Sequence, residues 1–205
     1  MARIGIFGGS FNPIHVGHIA LARQLLRLAR LDEILFVVSP LNPFKKQATD
    51  LMADDYRLAL VEMALQEEPK MRACDVEFHL PKPSYMWRTL EHLSLSRPAD
   101  ELVLIIGADN WLAFNRWAHH EEILSHYELA VYPRPGYPID TTSLPTNVHV
   151  YSTVLFPENS TEIRRRLAAG ESIYGLVPLK IEAELTKHKQ IFRVLPKNGV
   201  IDRRL

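Results

Sequence analysis

Ile4-Gly5-Ile6-Phe7-Gly8-Gly9-Ser10-Phe11-Asn12-Pro13-Ile14-His15-Val16-Gly17-His18, running on into Ile19 to Leu28, is the stretch that decides the fold. Ile4 to Phe7 is a short apolar run and predicts a buried strand, while Ile19 to Leu28 carries apolar residues at helical spacing. A strand, a Gly-rich turn and a helix N-terminus together make an anion-binding device, because backbone N–H groups and the helix dipole converge on one spot. Gly8 and Gly9 lack Cβ atoms, which allows close approach of a phosphate and an unusual φ. His15 and His18, three apart at the mouth of the helix, add donors able to carry charge near neutral pH. The turn has neither the Lys-Ser/Thr ending of a P-loop nor the dinucleotide glycine spacing. The plain alternatives are an ordinary tight turn for the glycines and, for the histidines, a metal site or two satisfied surface residues.

Working outward, short apolar runs alternate with longer amphipathic stretches, the pattern of a parallel sheet covered by helices. Further strands are expected at Ile34 to Val38, Met71 to Val76, Leu102 to Ile106, Leu129 to Tyr132 and Val148 to Ser152. Asp54-Asp55 opens a helix to about Gln66, with Leu58, Val61, Met63 and Leu65 as its apolar face. A helix from Tyr85 to about Leu95 takes Ser84 as N-cap. Another covers Asn159 to Ala169, with Glu162 three residues after Asn159 as in a capping box. A last one spans about Pro178 to Lys187. The expected fold is α/β: a Rossmann-like, doubly wound parallel sheet with helices on both faces, in one domain. In such sheets ligands bind beyond the carboxyl ends of the strands, where the strand order reverses. Each segment singled out below follows a predicted strand or opens a helix, which points to one shared site.

The chain has 205 residues, with 24 Lys plus Arg against 24 Asp plus Glu. Zero formal net charge argues against a broad nucleic-acid-binding surface and for a site of local charge. One cysteine, Cys74, excludes an internal disulfide framework and suits a reducing compartment. No run approaches the roughly 18 apolar residues of a membrane helix, and the apolar start is too short for a signal peptide. A cytoplasmic protein without membrane or nucleic-acid partners is expected.

GGSFNPIHVGH resembles the HxGH signature of the nucleotidyltransferase superfamily, and specifically its nicotinate-nucleotide adenylyltransferase branch. The resemblance implies transfer of AMP from ATP to nicotinate mononucleotide, giving deamido-NAD and pyrophosphate. By match, His15 and His18 are the catalytic pair contacting the ATP phosphates, with Gly8, Gly9, Ser10 and Phe11 in the ATP site. No carboxylate cluster for a dedicated metal cage is visible, so Mg²⁺ is expected to arrive with ATP.

Asn42-Pro43-Phe44-Lys45-Lys46 is similar to the family's Pro-Pro-His-Lys segment. It implies an ATP contact for Lys45, with Phe44 where the histidine usually stands and Ser39 or Lys46 as compensating groups. Ser84-Tyr85-Met86-Trp87-Arg88-Thr89 resembles the branch's Ser-Tyr-Thr segment, whose backbone N–H groups bind the nicotinate carboxylate. Met86 and Arg88 depart from it; Arg88 either adds positive charge or faces solvent. Ile105-Ile106-Gly107-Ala108-Asp109-Asn110 with Arg116-Trp117 resembles the Ile-Gly-Ala-Asp strand end and the basic-Trp pair. It implies ribose binding by Asp109 beside Gly107, and stacking of the pyridine ring on Trp117 with a cation–π contribution. Core packing is the alternative for Trp117 and the reading for Trp111. Arg134-Pro135-Gly136 matches the loop after the fifth strand, and Arg134 is placed with Ser39, Ser84, Tyr85 and Met86 among the acceptor-binding residues. Ser160-Thr161-Glu162-Ile163-Arg164 resembles Ser-Ser-Thr-x-x-Arg, implying ATP-phosphate contacts for Ser160, Thr161 and Arg164. Arg165 and Arg166 read as a solvated face, and His119-His120 as surface residues. Residues 1–191 are assigned to the nucleotidyltransferase domain; 192–205 form a tail without a recognised counterpart. The competing functions are the same chemistry on nicotinamide mononucleotide or another phosphorylated acceptor, and non-catalytic nucleotide binding.

Overall fold

The computed structural model describes residues 1–40, 51–188 and 192. Six parallel strands form one sheet: β1 Arg3–Gly9, β2 Glu33–Val38, β3 Met71–Cys74, β4 Glu101–Gly107, β5 Glu128–Tyr132 and β6 Val148–Val150. Their order is β3-β2-β1-β4-β5-β6, so the winding direction reverses between β1 and β4. The register pairs Phe7 with Phe36 on one side and with Ile105 on the other. All six predicted strands are present; β3 ends two residues earlier than expected, because Val76–Phe78 turns into a 3₁₀ helix.

Period-2 alternation along the strands divides the core in two. Phe7, Phe36, Val38, Val103 and Ile105 face helices α1 Val16–Leu28, α2 Asp54–Leu65, α6 Ser160–Ala169 and α7 Leu179–Lys187. Ile4, Ile6, Leu35, Leu102, Leu104 and Ile106 face α3 Met86–Ser96 and α5 His120–His126. A short helix α4, Ala108–Leu112, and a 3₁₀ turn, Phe114–Arg116, lead from β4 into α5. The sequence signalled none of these last three elements, each too short to show a helical period. The fold is the doubly wound α/β architecture expected.

Three local expectations are corrected. Gly8 and Gly9 do not turn: they close β1 in extended conformation, and the left-handed residue is Phe11, at φ 43°. The inward side of α2 is Arg57, Leu60, Val61 and Leu65, with Leu58 only partly buried; a charged residue in the core-facing row hid the true phase. Helix α3 starts one residue late, with Tyr85 at the N-cap and no side-chain cap, and the Ser84 hydroxyl is buried without a partner. Asn159 does cap α6, its Oδ1 accepting from the Glu162 N–H at 2.8 Å, but the Glu162 carboxylate turns to Arg165 and Arg166. These exposed pairs form the solvated face that was expected.

Candidate active site

Two adjoining cavities open where the carboxyl ends of β1 and β4 diverge. The larger, about 640 Å³, is lined by Gly8 to Asn12, both histidines, Asp109, Arg134 and the start of α6. The smaller, about 430 Å³, is lined by Ser39, Glu77, Ser84, Tyr85, Met86 and Gly107, among others. Trp117 borders both cavities.

Loop 10–15 gets its shape from outside itself. The Asn12 side-chain oxygen accepts from the Met52 N–H at 3.0 Å. Arg164 donates to the Asn12 carbonyl at 2.8 Å, and Ser160 Oγ to the Pro13 carbonyl at 2.9 Å. Ser160 and Arg164, expected as phosphate contacts, therefore line the larger cavity while also pinning the histidine loop to α6. Phe11 is 2% exposed and packs its ring edge-on against Phe7 and His18. Gly17 has a steric reason: a Cβ there would come within 3.1 Å of both His15 Nδ1 and Phe156 Cβ. Phe156, partly exposed and bordering the larger cavity, had no sequence signal to single it out.

His15 and His18 stack with ring centroids 3.6 Å apart. The His15 N–H donates to His18 Nδ1 at 3.2 Å, half of a capping box at the start of α1. His15 Nδ1 occupies the reciprocal position, but is buried without a hydrogen bond of normal geometry. Because His18 Nδ1 accepts, its proton resides on Nε2.

His15 is different from the expectation of a charge near neutral pH. Burial first, and the Arg134 guanidinium second, push its pKa down from 6.5 to about 4. Between those values the unfolded chain binds a proton that the folded chain does not, so stability rises with pH across this window and is lost as pH falls. The full difference is about 3 kcal/mol at 1.36 kcal/mol per pKa unit. Unfolding free energies measured from pH 7 down to 4 should therefore converge for wild type and His15→Asn. Parallel curves would contradict the assignment.

Asp109, in the first turn of α4, has Oδ1 3.7 Å from Arg134 Nε, buried and without a hydrogen bond. A Cβ on Gly107 would collide with that same oxygen, which is why glycine ends β4. Arg134 also donates to the Tyr132 hydroxyl at 3.2 Å and lies over that ring. Arg134 therefore borders the larger cavity with the histidines, and Gly107 the smaller, the reverse of the grouping drawn from the resemblance. Thr161 borders the larger cavity. Lys45, Lys46 and Phe44 lie outside the described residues.

Trp117 is half-buried, packs against the core with its ring 5.3 Å from Phe114, and forms part of both cavity walls. Trp111, also half-buried and packed against the core, stacks on the same Phe114 with centroids 5.6 Å apart. Arg88 resolves to neither alternative: its guanidinium rests on the rings of Tyr85 and Trp87 and lines neither cavity. His119 pairs with Glu122 at 2.6 Å on the surface.

Two site residues carried no readable sign. Arg57, 0% exposed, donates to the carbonyls of Met52, Ser10 and Ser39 and to Asp54. Glu77, 2% exposed, takes a hydrogen bond from Thr89 Oγ1 at 2.9 Å. A charged residue in an otherwise amphipathic stretch is ordinarily solvated, and only tertiary contacts reveal one that is not.

Comparison with known proteins agrees with this geometry. Residues 6–166 match the cytidylyltransferase-like family model. A Bacteroides fragilis protein named "probable nicotinate-nucleotide adenylyltransferase" is 51% identical over 177 residues, covering 86% of this chain and 88% of its own. A Cytophaga hutchinsonii protein of the same name is 43% identical, covering 91% and 97%. Among solved structures, Plasmodium falciparum nicotinic acid mononucleotide adenylyltransferase complexed with NaAD superposes with a TM-score of 0.78. At 18% identity, over 93% of this chain and 98% of that one, it shares the fold. With the family model spanning the sheet and both histidines, and two relatives matched over most of their length, this nucleotidyltransferase belongs to the nicotinate-nucleotide adenylyltransferase family.

Proposed function

We propose that this protein transfers AMP from ATP to nicotinate mononucleotide, forming deamido-NAD and releasing pyrophosphate. The larger cavity takes ATP, brought as its Mg²⁺ complex, and the smaller takes the pyridine nucleotide. An oxygen of the acceptor phosphate attacks the α-phosphorus in line. One P–O bond forms, the bond from the α-phosphorus to the bridging oxygen breaks, and pyrophosphate leaves. No covalent enzyme intermediate is required, so the protein's part is to hold two anions in line and to stabilise the charge that develops. His18 Nε2–H is a preorganised donor for the phosphates, and His15, beside it, supplies a second once a phosphate is near. Arg134 and Arg164 add fixed positive charge to the same wall.

The observation that carries the choice of acceptor is the bare start of α3 at the smaller cavity. Tyr85 gives no side-chain cap and Ser84 Oγ is buried without a partner. The first N–H groups of a helix have no intrahelical acceptor, and the dipole there favours an anion. A nicotinate carboxylate accepts from two such donors, whereas a carboxamide turns an NH₂ against one of them. A buried mismatch of this kind costs about 1–3 kcal/mol, so kcat/KM should favour nicotinate over nicotinamide mononucleotide by at least about tenfold. Pyrophosphate release with ATP and each acceptor measures the ratio. Equal use of the two would sink the carboxylate site. Arg88→Ala should leave the ratio unchanged, since that guanidinium rests on Tyr85 and Trp87 outside the cavity.

A further inference from the structure

The 3₁₀ turn Val76–Phe78, just beyond β3, places Glu77 against the first turn of α3. Its Oε1 accepts from Thr89 Oγ1, and Thr89 is itself 0% exposed. Its Oε2 is buried with no hydrogen-bond partner, although Glu77 lines the smaller cavity with Ser39, Ser84 and Met86. A half-satisfied buried carboxyl is a costly group to keep in a core. The transfer reaction described above makes no use of it.

We propose that Glu77 is a positioning residue for the acceptor nucleotide: through Thr89 it fixes the first turn of α3 so that the helix start at Tyr85 and Met86 faces the smaller cavity. This rests on the reading of that cavity as the acceptor's. The Thr89 bond joins the end of β3 to the helix start, so it sets the helix start relative to the sheet rather than merely filling space. Burial holds the Glu77 carboxyl above its ordinary value, more than the Thr89 hydroxyl bond lowers it. An amide of the same shape still offers one oxygen to Thr89, so glutamine should replace it.

Steady-state kinetics of the full chain with ATP and nicotinate mononucleotide test this. Glu77→Ala should raise KM for the mononucleotide at least about tenfold while KM for ATP stays within about twofold. Glu77→Gln should stay within about threefold of wild type on both. Thr89→Val breaks the same bond and should shift KM in the same direction, with the double variant no worse than Glu77→Ala alone. A folded Glu77→Ala protein with unchanged acceptor KM, or with both KM values raised by one factor, overturns the proposal. So does a Glu77→Gln protein as impaired as the alanine variant. If Glu77→Ala does not fold, Thr89→Val decides in its place by the same criterion. Met86→Trp, which fills the smaller cavity, separates this from the reading beneath it. If it raises the acceptor KM while Glu77→Ala does not, Glu77 alone is misassigned. If it raises only the ATP KM, the assignment of the cavities fails.

Discussion

His18→Ala is expected to lower kcat by about 10²–10³ while leaving KM for ATP within a few fold, the loss typical of one preorganised donor to developing charge. The structure gives this residue two roles that the variant must be made to distinguish. His18 Nδ1 accepts from the His15 N–H, so the side chain also helps to start α1. Loss of a helix cap costs about 1 kcal/mol of stability, which would leave a domain of ordinary stability folded. The other nitrogen, Nε2, bears the proton, and His18 lines the larger cavity, where the phosphates are proposed to react. A merely structural histidine would show a lower melting temperature with kcat retained in the folded fraction. A transition-state donor would show the reverse: near-normal melting, near-normal ATP affinity and little turnover. Pyrophosphate release at saturating substrates, read with a thermal melt of the same sample, separates the two. Turnover within threefold of wild type would assign His18 to the cap alone.

Arg57→Ala should cost about 3–5 kcal/mol, the range found when one partner of a buried charged network is removed. Arg57 Nη1 donates to the carbonyl of Ser10 at 2.5 Å and to that of Ser39 at 2.9 Å, residues that follow β1 and β2. Nε reaches the Met52 carbonyl at 3.1 Å, and Nη2 pairs with Asp54 at 2.7 Å. One planar guanidinium thus clasps the ends of two neighbouring strands to the start of α2. Alanine would leave three carbonyls without their donor and a cavity in place of a side chain. Lysine would not restore the clamp, because one ammonium on a flexible stem cannot reproduce the fixed fork. Against a total stability of about 5–15 kcal/mol for a domain, either variant should show a large fall in the urea midpoint, with an unchanged slope if unfolding stays two-state. A loss under about 1 kcal/mol would show that water or a neighbouring donor replaces the clamp.

Some of this was legible before any coordinates, and the reason lies in the range of the forces involved. The central strands were the plainest because a parallel strand buried on both faces must be a continuous apolar run, as Ile34 to Val38 and Leu102 to Ile106 are, whereas the edge strands β3 and β6 are shorter and half-exposed. The Gly8 to His18 stretch was visible because a strand, a loop and a helix start need adjacent residues of restricted types. For Trp117 only the family resemblance implied a ring-stacking place, with core packing as the alternative; the fold sets it in the walls of both cavities.

Tertiary structure alone decided the rest. The pKa of His15 depends on burial and on Arg134, more than a hundred positions away in the chain, and no local pattern encodes either. Gly8 and Gly9 looked like the turn, but parallel pairing with β2 holds them extended to the strand's end, and the turn's left-handed residue is Phe11. Arg57 and Glu77 look like solvated charges in sequence; the fold instead buries both and gives them partners, Ser10 and Ser39 for one, Thr89 for the other. Sequence by itself thus determined the strands and the longer helices, because these follow from residue type and period. Which buried charges hold the loops beside the cavities in shape, and how far the pKa of His15 falls, follow from distances between residues remote in the chain, and those exist only once the sheet has closed.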